Sequence, residues 1–210
     1  LAAACAEKNA NLEEVIRLLE ECTTLERESE IVDIASLSLT DLANHIEATH
    51  HAFLRGIFPH LNELIEQVMR THAGKEPRLY EVRAAFLALR SELELHMAKE
   101  ERILFPMVRQ LDTALSLPRF HFGSIANPIQ QMEYEHDQAS DLLAKIREAS
   151  DGFAVPDWAC ATYLAMLDTL KQLEADLFQH IHKENNVLFP RAMELEDEHR
   201  ARDDRGSQDG

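Results

Sequence analysis

Apolar residues recur along most of the chain at the three-and-four spacing of an amphipathic helix, and the pattern breaks mainly where Gly and Pro collect. The class is therefore all-α, with four long helices. The first, capped by Ser38 or Thr40, carries Leu42, Ile46, Leu54, Phe58, Leu61, Ile65 and Val68 to about Thr71. The stretch HAGKEP is a turn that places Pro77 at the first position of a second helix, whose stripe is Phe86, Leu89, Leu93, Leu104, Met107 and Leu111. After the loop LSLPRFHFGSIANP, a third helix runs from Ile129 to Ala149. Gly152 and Pro156 separate it from a fourth that holds Leu170, Leu173, Leu177, Val187, Leu188 and Met193. A short amphipathic helix over Asn11–Cys22 and a charged connection to Ser36 precede them. The expected layout is a helical segment over 1–25, a linker over 26–36, an antiparallel four-helix bundle over 37–196 and a solvated, disordered tail over 197–210.

Inside the second and fourth stripes sits a repeated motif, His-x-x-Lys-Glu-x-x-x-Leu-Phe-Pro, once from His96 to Pro106 and again from His180 to Pro190. In a helix the His and Glu of each copy lie on adjacent turns with Cβ atoms about 5–6 Å apart. A lone His precedes each copy by nearly the same interval: His51 is 45 residues before His96, and His136 is 44 before His180. The chain thus reads as two related halves, each giving one helix with a single His and one with a His/Glu pair. Pro106 and Pro190 occupy the same place in both, and each is expected to kink or stop its helix.

The polar groups interrupt the core stripes themselves. The second helix reads Leu89, Leu93, His96, Glu100, Leu104, and the fourth reads Leu173, Leu177, His180, Glu184, Leu188; His136 continues Ile129 and Met132 on the third. Two buried carboxylates facing one another would each cost several kcal/mol without a partner, roughly the penalty known for unpaired buried ions. A cation between them offsets that penalty. Neutral imidazole with carboxylate suits Fe, Mn or Zn rather than Ca or Mg. Six ligands from two similar halves favour two metals, bridged by the Glu residues at about 3.5–4 Å. A single His on an apolar face is usually a hydrogen-bonded core residue, but that reading does not account for four His and two Glu placed by one repeat.

On the first helix His50 and His51 are adjacent and only one can face inward. Periodicity does not choose, but a shift of 85 residues puts His51 on His136, Leu54 on Ala139, Phe58 on Leu143 and Leu61 on Ile146, which selects His51. His45, His60, His72, His121, His182 and His199 get no metal role. Glu92, one turn before His96, and Glu135, beside His136, are either solvated surface carboxylates or groups that hold the ligands and line a channel.

Composition narrows the partners. The net charge of −17 repels both a phosphate backbone and an anionic lipid surface, so nucleic acid and membrane are not expected partners. No stretch approaches the roughly 20 apolar residues of a membrane span, and no secretory start is visible, which makes a cytoplasmic location the default. Cys5, Cys22 and Cys160 form no C-x-x-C pair, so neither a disulfide framework nor a thiolate zinc site is indicated.

With HxxxxxxFP at His51, HMAKEERILFP at His96, MEYEHD ending on His136–Asp137, and HIHKENNVLFP at His180, the chain resembles the hemerythrin-like di-iron proteins, and among them the RIC (repair of iron centres) iron–sulfur cluster repair group. The resemblance implies a hemerythrin-like bundle and places iron ligands at His51, His96, Glu100, His136, His180 and Glu184. It implies two Fe ions, oxo-bridged, with Glu100 and Glu184 as bridging carboxylates. Full-length members of the group begin with a Cys-Gly-Gly segment that this sequence lacks, and Leu1 to about Leu25 resembles only the tail of that small domain.

The function the resemblance implies is repair of iron–sulfur clusters damaged by nitrosative or oxidative stress, with NO or O2 bound at the di-iron centre and iron available for donation. Damaged iron–sulfur proteins would be the clients, and a homodimer is one further option. Two other readings stay open: a di-iron NO reductase or peroxidase-like enzyme, and a module that binds or senses O2 or iron. A ferritin-like oxidase is disfavoured, because that class pairs Glu-x-x-His with lone Glu, whereas this chain has His-x-x-x-Glu and lone His.

Overall fold

The computed structural model describes residues 33–121 and 123–206. The short helix expected over Asn11–Cys22 and its linker lie outside the described residues, apart from the linker's last few positions. The compact unit Leu37–Gly210 is helical throughout its described length apart from turns. Its first long rod consists of α1 (Leu39–Ile46), a π-helical turn π1 (Glu47–His51) and α2 (Ala52–His72). The second consists of α3 (Leu79–Lys99), π2 (Glu100–Leu104) and α4 (Phe105–Thr113). The third is α5 (Ala126–Ala149). The fourth consists of α6 (Ala161–Lys183), π3 (Glu184–Leu188) and α7 (Phe189–Gly206).

Local chemistry explains the ends. Ser38, rather than Thr40, caps α1: its Oγ accepts from the Asp41 amide at 3.0 Å and donates to the Asp41 carboxylate at 2.8 Å. Pro77 stands just outside α3, where its carbonyl accepts from the Tyr80 amide in a tighter turn. Helix α5 starts three residues earlier than Ile129 and takes in Pro128, which is tolerated because first-turn amides have no intrahelical partner.

The disordered tail expected from residue 197 is corrected by the structure: α7 continues to Gly206. Long-range ties explain the extension. Glu196 is 3% exposed, and its carboxylate accepts from the Ser124 hydroxyl at 2.6 Å and the Ile125 amide at 3.0 Å, at the N-terminus of α5 where negative charge is favoured. Asp203 accepts from the Leu117 amide at 3.0 Å, and His199 is buried. None of these contacts leaves a periodic apolar trace.

Rods pack in pairs, α3 along α5, α2 along α6, and α1 along α4. One apolar cluster joins Leu54, Phe58, Leu61 and Ile65 of α2 to Phe86, Leu89 and Leu93 of α3, to Ala139, Leu143 and Ile146 of α5, and to Leu170, Leu173 and Leu177 of α6. Each fully buried Leu, Ile or Phe contributes about 1.5–3 kcal/mol, so this cluster holds the rods whether or not the polar layer beside it is filled. No helix among the described residues is long and apolar enough to cross a membrane.

Candidate metal centre

The core stripes end in a polar layer. His51, Glu100 and Glu184 are 0% exposed, His180 is 1%, and His96 and His136 are 2%. All four rods deliver these residues, and three of them carry a π turn at the site: His51 is the last residue of π1, while Glu100 and Glu184 are the first of π2 and π3. In the latter two, the Phe105 and Phe189 amides reach back five residues to the Glu100 and Glu184 carbonyls. Pro106 and Pro190 have no N–H for the carbonyl four residues behind them, and the π turn before each accommodates that loss where a simple kink or stop was expected. No proline follows π1 so closely; what all three turns share is a site residue.

Each carboxylate divides its oxygens between the two His of its own half. Glu100 Oε2 lies 3.3 Å from His51 Nε2, and its Oε1 lies 3.3 Å from His96 Nε2. Glu184 Oε1 lies 3.1 Å from His180 Nε2, and its Oε2 lies 3.1 Å from His136 Nε2. Two clusters follow, His51–His180 and His96–His136, each completed by both Glu residues, with ligand atoms within 4.8 Å of one another. His51, not His50, enters the layer.

These atoms converge without satisfying each other. His51 Nε2, both Glu100 oxygens and Glu184 Oε2 are buried and have no hydrogen-bond partner. His96 and His136 turn their Nε2 atoms on one another at 3.1 Å, where only one can carry a proton. Buried acceptors aimed at a shared point are unfavourable alone and suited to a cation. A set of only nitrogen and oxygen, with imidazole and carboxylate alternating, fits a first-row transition metal in each cluster.

Outer contacts hold the rings. Glu101 accepts from His51 Nδ1 at 2.7 Å and is pinned by Arg55 at 2.5 and 2.7 Å. Glu135 accepts from His96 Nδ1 at 3.0 Å and from Lys99. Asn185 accepts from His136 Nδ1 at 2.8 Å. Of the two carboxylates left open by the sequence, Glu135 thus holds a ring, and Glu92 joins it in lining a cavity of about 170 Å³ that reaches His96. Glu101 and Asn185 were missed, although they follow the motif Glu in both copies and each holds the lone His of its own half. The Phe of each copy also backs that His: Phe105 stacks on His51 at 5.7 Å and Phe189 on His136 at 6.0 Å.

Without a cation to share, the carboxylates favour protonated imidazoles. Burial disfavours a charged His96, but Glu100 and Glu135 outweigh it and its pKa is pushed up to about 10. His51 is raised in the same way by Glu100 and Glu101 against burial. Burial and the facing carboxylate push Glu100 upward, yet the imidazoles hold it below the usual range, and Glu184 is held well below it. A raised imidazole stabilises the fold fully below its unfolded value of 6.5 and loses that contribution as pH rises through its folded value, about 10 for His96. The metal-free chain should therefore melt at lower temperature as pH rises from 7 to 10. Metal binding needs neutral imidazole, so it should release protons and strengthen with pH. Melting curves of chelated and metal-loaded protein across that range check this; parallel pH slopes would overturn it.

The family profile of the hemerythrin HHE cation binding domain matches residues 41–192. The iron–sulfur cluster repair protein YtfE of Pectobacterium carotovorum subsp. carotovorum (strain PC1) is 34% identical over 193 residues, which cover 92% of this chain and 82% of that protein. The protein of the same name from Escherichia coli O157:H7 is 39% identical over 162 residues, 77% of this chain and 69% of its own length. The matched span holds all six converging residues, and this chain belongs to the hemerythrin HHE cation-binding family, in the group of the iron–sulfur cluster repair proteins.

Proposed function

We propose that this chain is a di-iron protein that repairs iron–sulfur clusters damaged by nitrosative or oxidative stress. The observation that carries the reading is the pair of buried carboxylates whose oxygens are shared between two His clusters. In this reading His51, His96, His136 and His180 would hold two irons, which Glu100 and Glu184 would share, as in an oxo-bridged di-iron centre. Iron would supply open coordination positions for NO or O2, and an ion that can be passed to a damaged cluster.

The chain's own residues set the conditions. Two imidazoles and two carboxylate oxygens per cluster give four protein ligands, fewer than a six-coordinate metal takes. Phe105 and Phe189 keep water from the lone His rings, while the cavity lined by Glu92, His96 and Glu135 is a route for a small ligand. The family relationship supports the function, since the relatives are named for it.

The test is metal content and visible absorption of the purified chain under anaerobic conditions, before and after NO, followed by reactivation of a hydratase whose cluster NO has damaged. Close to two irons per chain, a spectrum altered by NO, and recovery of the client only with the iron-loaded chain are expected. Zinc as the native metal, or no recovery, would overturn the reading. Continuous NO consumption with reductant, in excess of metal, would transfer it to an NO reductase.

A further inference from the structure

The internal repeat places three residues around one imidazole of each cluster. Glu92, His96, Lys99 and Glu135 at one cluster correspond to Asp176, His180, Lys183 and His50 at the other, at a shift of 84 for the first three and 85 for the last. Three pairs keep their chemistry. The fourth sets a carboxylate against an imidazole, and that exchange changes what the ligand ring can bind.

Around His96, Glu135 gives one oxygen to the Nδ1–H of His96 and the other to Lys99 and Gln131. Around His180 the equivalent place is taken by His50, itself 3% exposed. His50 Nδ1 lies 2.8 Å from Asp176 Oδ1, which can only accept, and His50 Nε2 lies 2.8 Å from Lys183 Nζ, which can only donate. A neutral imidazole with Nδ1–H bound to Asp176 and Nε2 filled by Lys183 has nothing left to offer. His50 presents its ring face to His180 instead, with centroids 5.2 Å apart and planes 3° from parallel. His180 Nδ1 is accordingly buried without a hydrogen-bond partner.

The consequence falls on one metal. In the His96–His136 cluster both rings are held at Nδ1, by Glu135 and Asn185. In the His51–His180 cluster only His51 is held, by Glu101. An acceptor at Nδ1 fixes the ring and increases its basicity toward a metal on the other nitrogen, and loss of such a partner typically lowers affinity about 10–100-fold.

We infer that the two metals are held unequally, that the one bound by His51 and His180 is the looser by about 10–100-fold, and that His50 is the positioning residue that makes it so. This rests on the di-iron reading above and identifies which ion is available for donation. His50 acts through His180 and binds no metal.

Equilibrium competition tests it. Iron-loaded protein is brought to equilibrium with rising concentrations of a ferrous chelator, and the iron left on each chain is measured by elemental analysis. Wild type should pass through a plateau near one iron per chain. His50→Glu, which rebuilds the Glu135 arrangement, should shift the first loss to about 10–100-fold higher free chelator and merge the two steps. His50→Gln, a neutral acceptor that the buried position tolerates more readily, should move it in the same direction by less. Glu135→Gln should leave the first loss in place and bring the second toward it. A single step in wild type, or a first loss unmoved in both folded His50 variants, would overturn the inference while leaving the di-iron reading intact. Failure of wild type to take up two irons would instead overturn that reading.

Discussion

Glu184→Ala is expected to empty both clusters together, taking iron from about two per chain to well below one while the helical circular dichroism stays unchanged. The reason is the division of its oxygens, Oε1 toward His180 and Oε2 toward His136 at 3.1 Å each, so that under the proposed di-iron reading one side chain would serve both metals. His136→Ala removes an imidazole from one cluster only and should leave close to one iron. The helices survive in both because the apolar cluster from Leu54 to Leu177 lies beside the site and does not depend on it. Elemental analysis of the two variants gives the ratio. Full retention in Glu184→Ala would show that this carboxylate is not a bridge, and equal losses in the two would show that the metals are not separable.

The second large effect lies at the Phe of the repeated motif. Phe189 is fully buried and its ring is stacked on His136 at 6.0 Å with planes 3° apart. Phe189→Ala removes that contact and leaves a cavity in a layer between two rods, which typically costs about 3–5 kcal/mol. Urea unfolding of the metal-free chain reads this without any contribution from iron. Phe178 on α6, 52% exposed, is the control, and Phe178→Ala should change stability by no more than about 0.5 kcal/mol. A loss under about 1 kcal/mol for Phe189→Ala would mean that the rods close over the gap. The same substitution frees the His136 ring on one face, so weaker iron binding should accompany the lost stability.

These expectations differ in where their grounds became visible. His96 with Glu100, and His180 with Glu184, could be read from the chain because four residues along a helix is a local geometry that needs no tertiary contact to hold. The interval to His51 and His136 could be read as well, since a duplicated helix pair repeats its spacing. The choice of His51 over His50 rested on that repeat, and the structure turns His51 Nε2 to Glu100 while His50 goes to Asp176 and Lys183. Both rings are buried, so apolar periodicity alone could never have separated them.

What the chain determined by itself was the all-α class, the rods and the spacing of the His and Glu residues, because hydrophobic period and local helix geometry are properties of neighbours in sequence. What the tertiary structure alone decided was the path of α7 beyond residue 197, the three π turns, and the grip of Glu101, Asn185 and Asp176 on imidazoles 126 or fewer residues away. Those depend on which side chains meet across rods. A helix can be written in one stretch of residues, but a shared carboxylate or a buried hydrogen bond exists only once the rods have packed and set the distance between them.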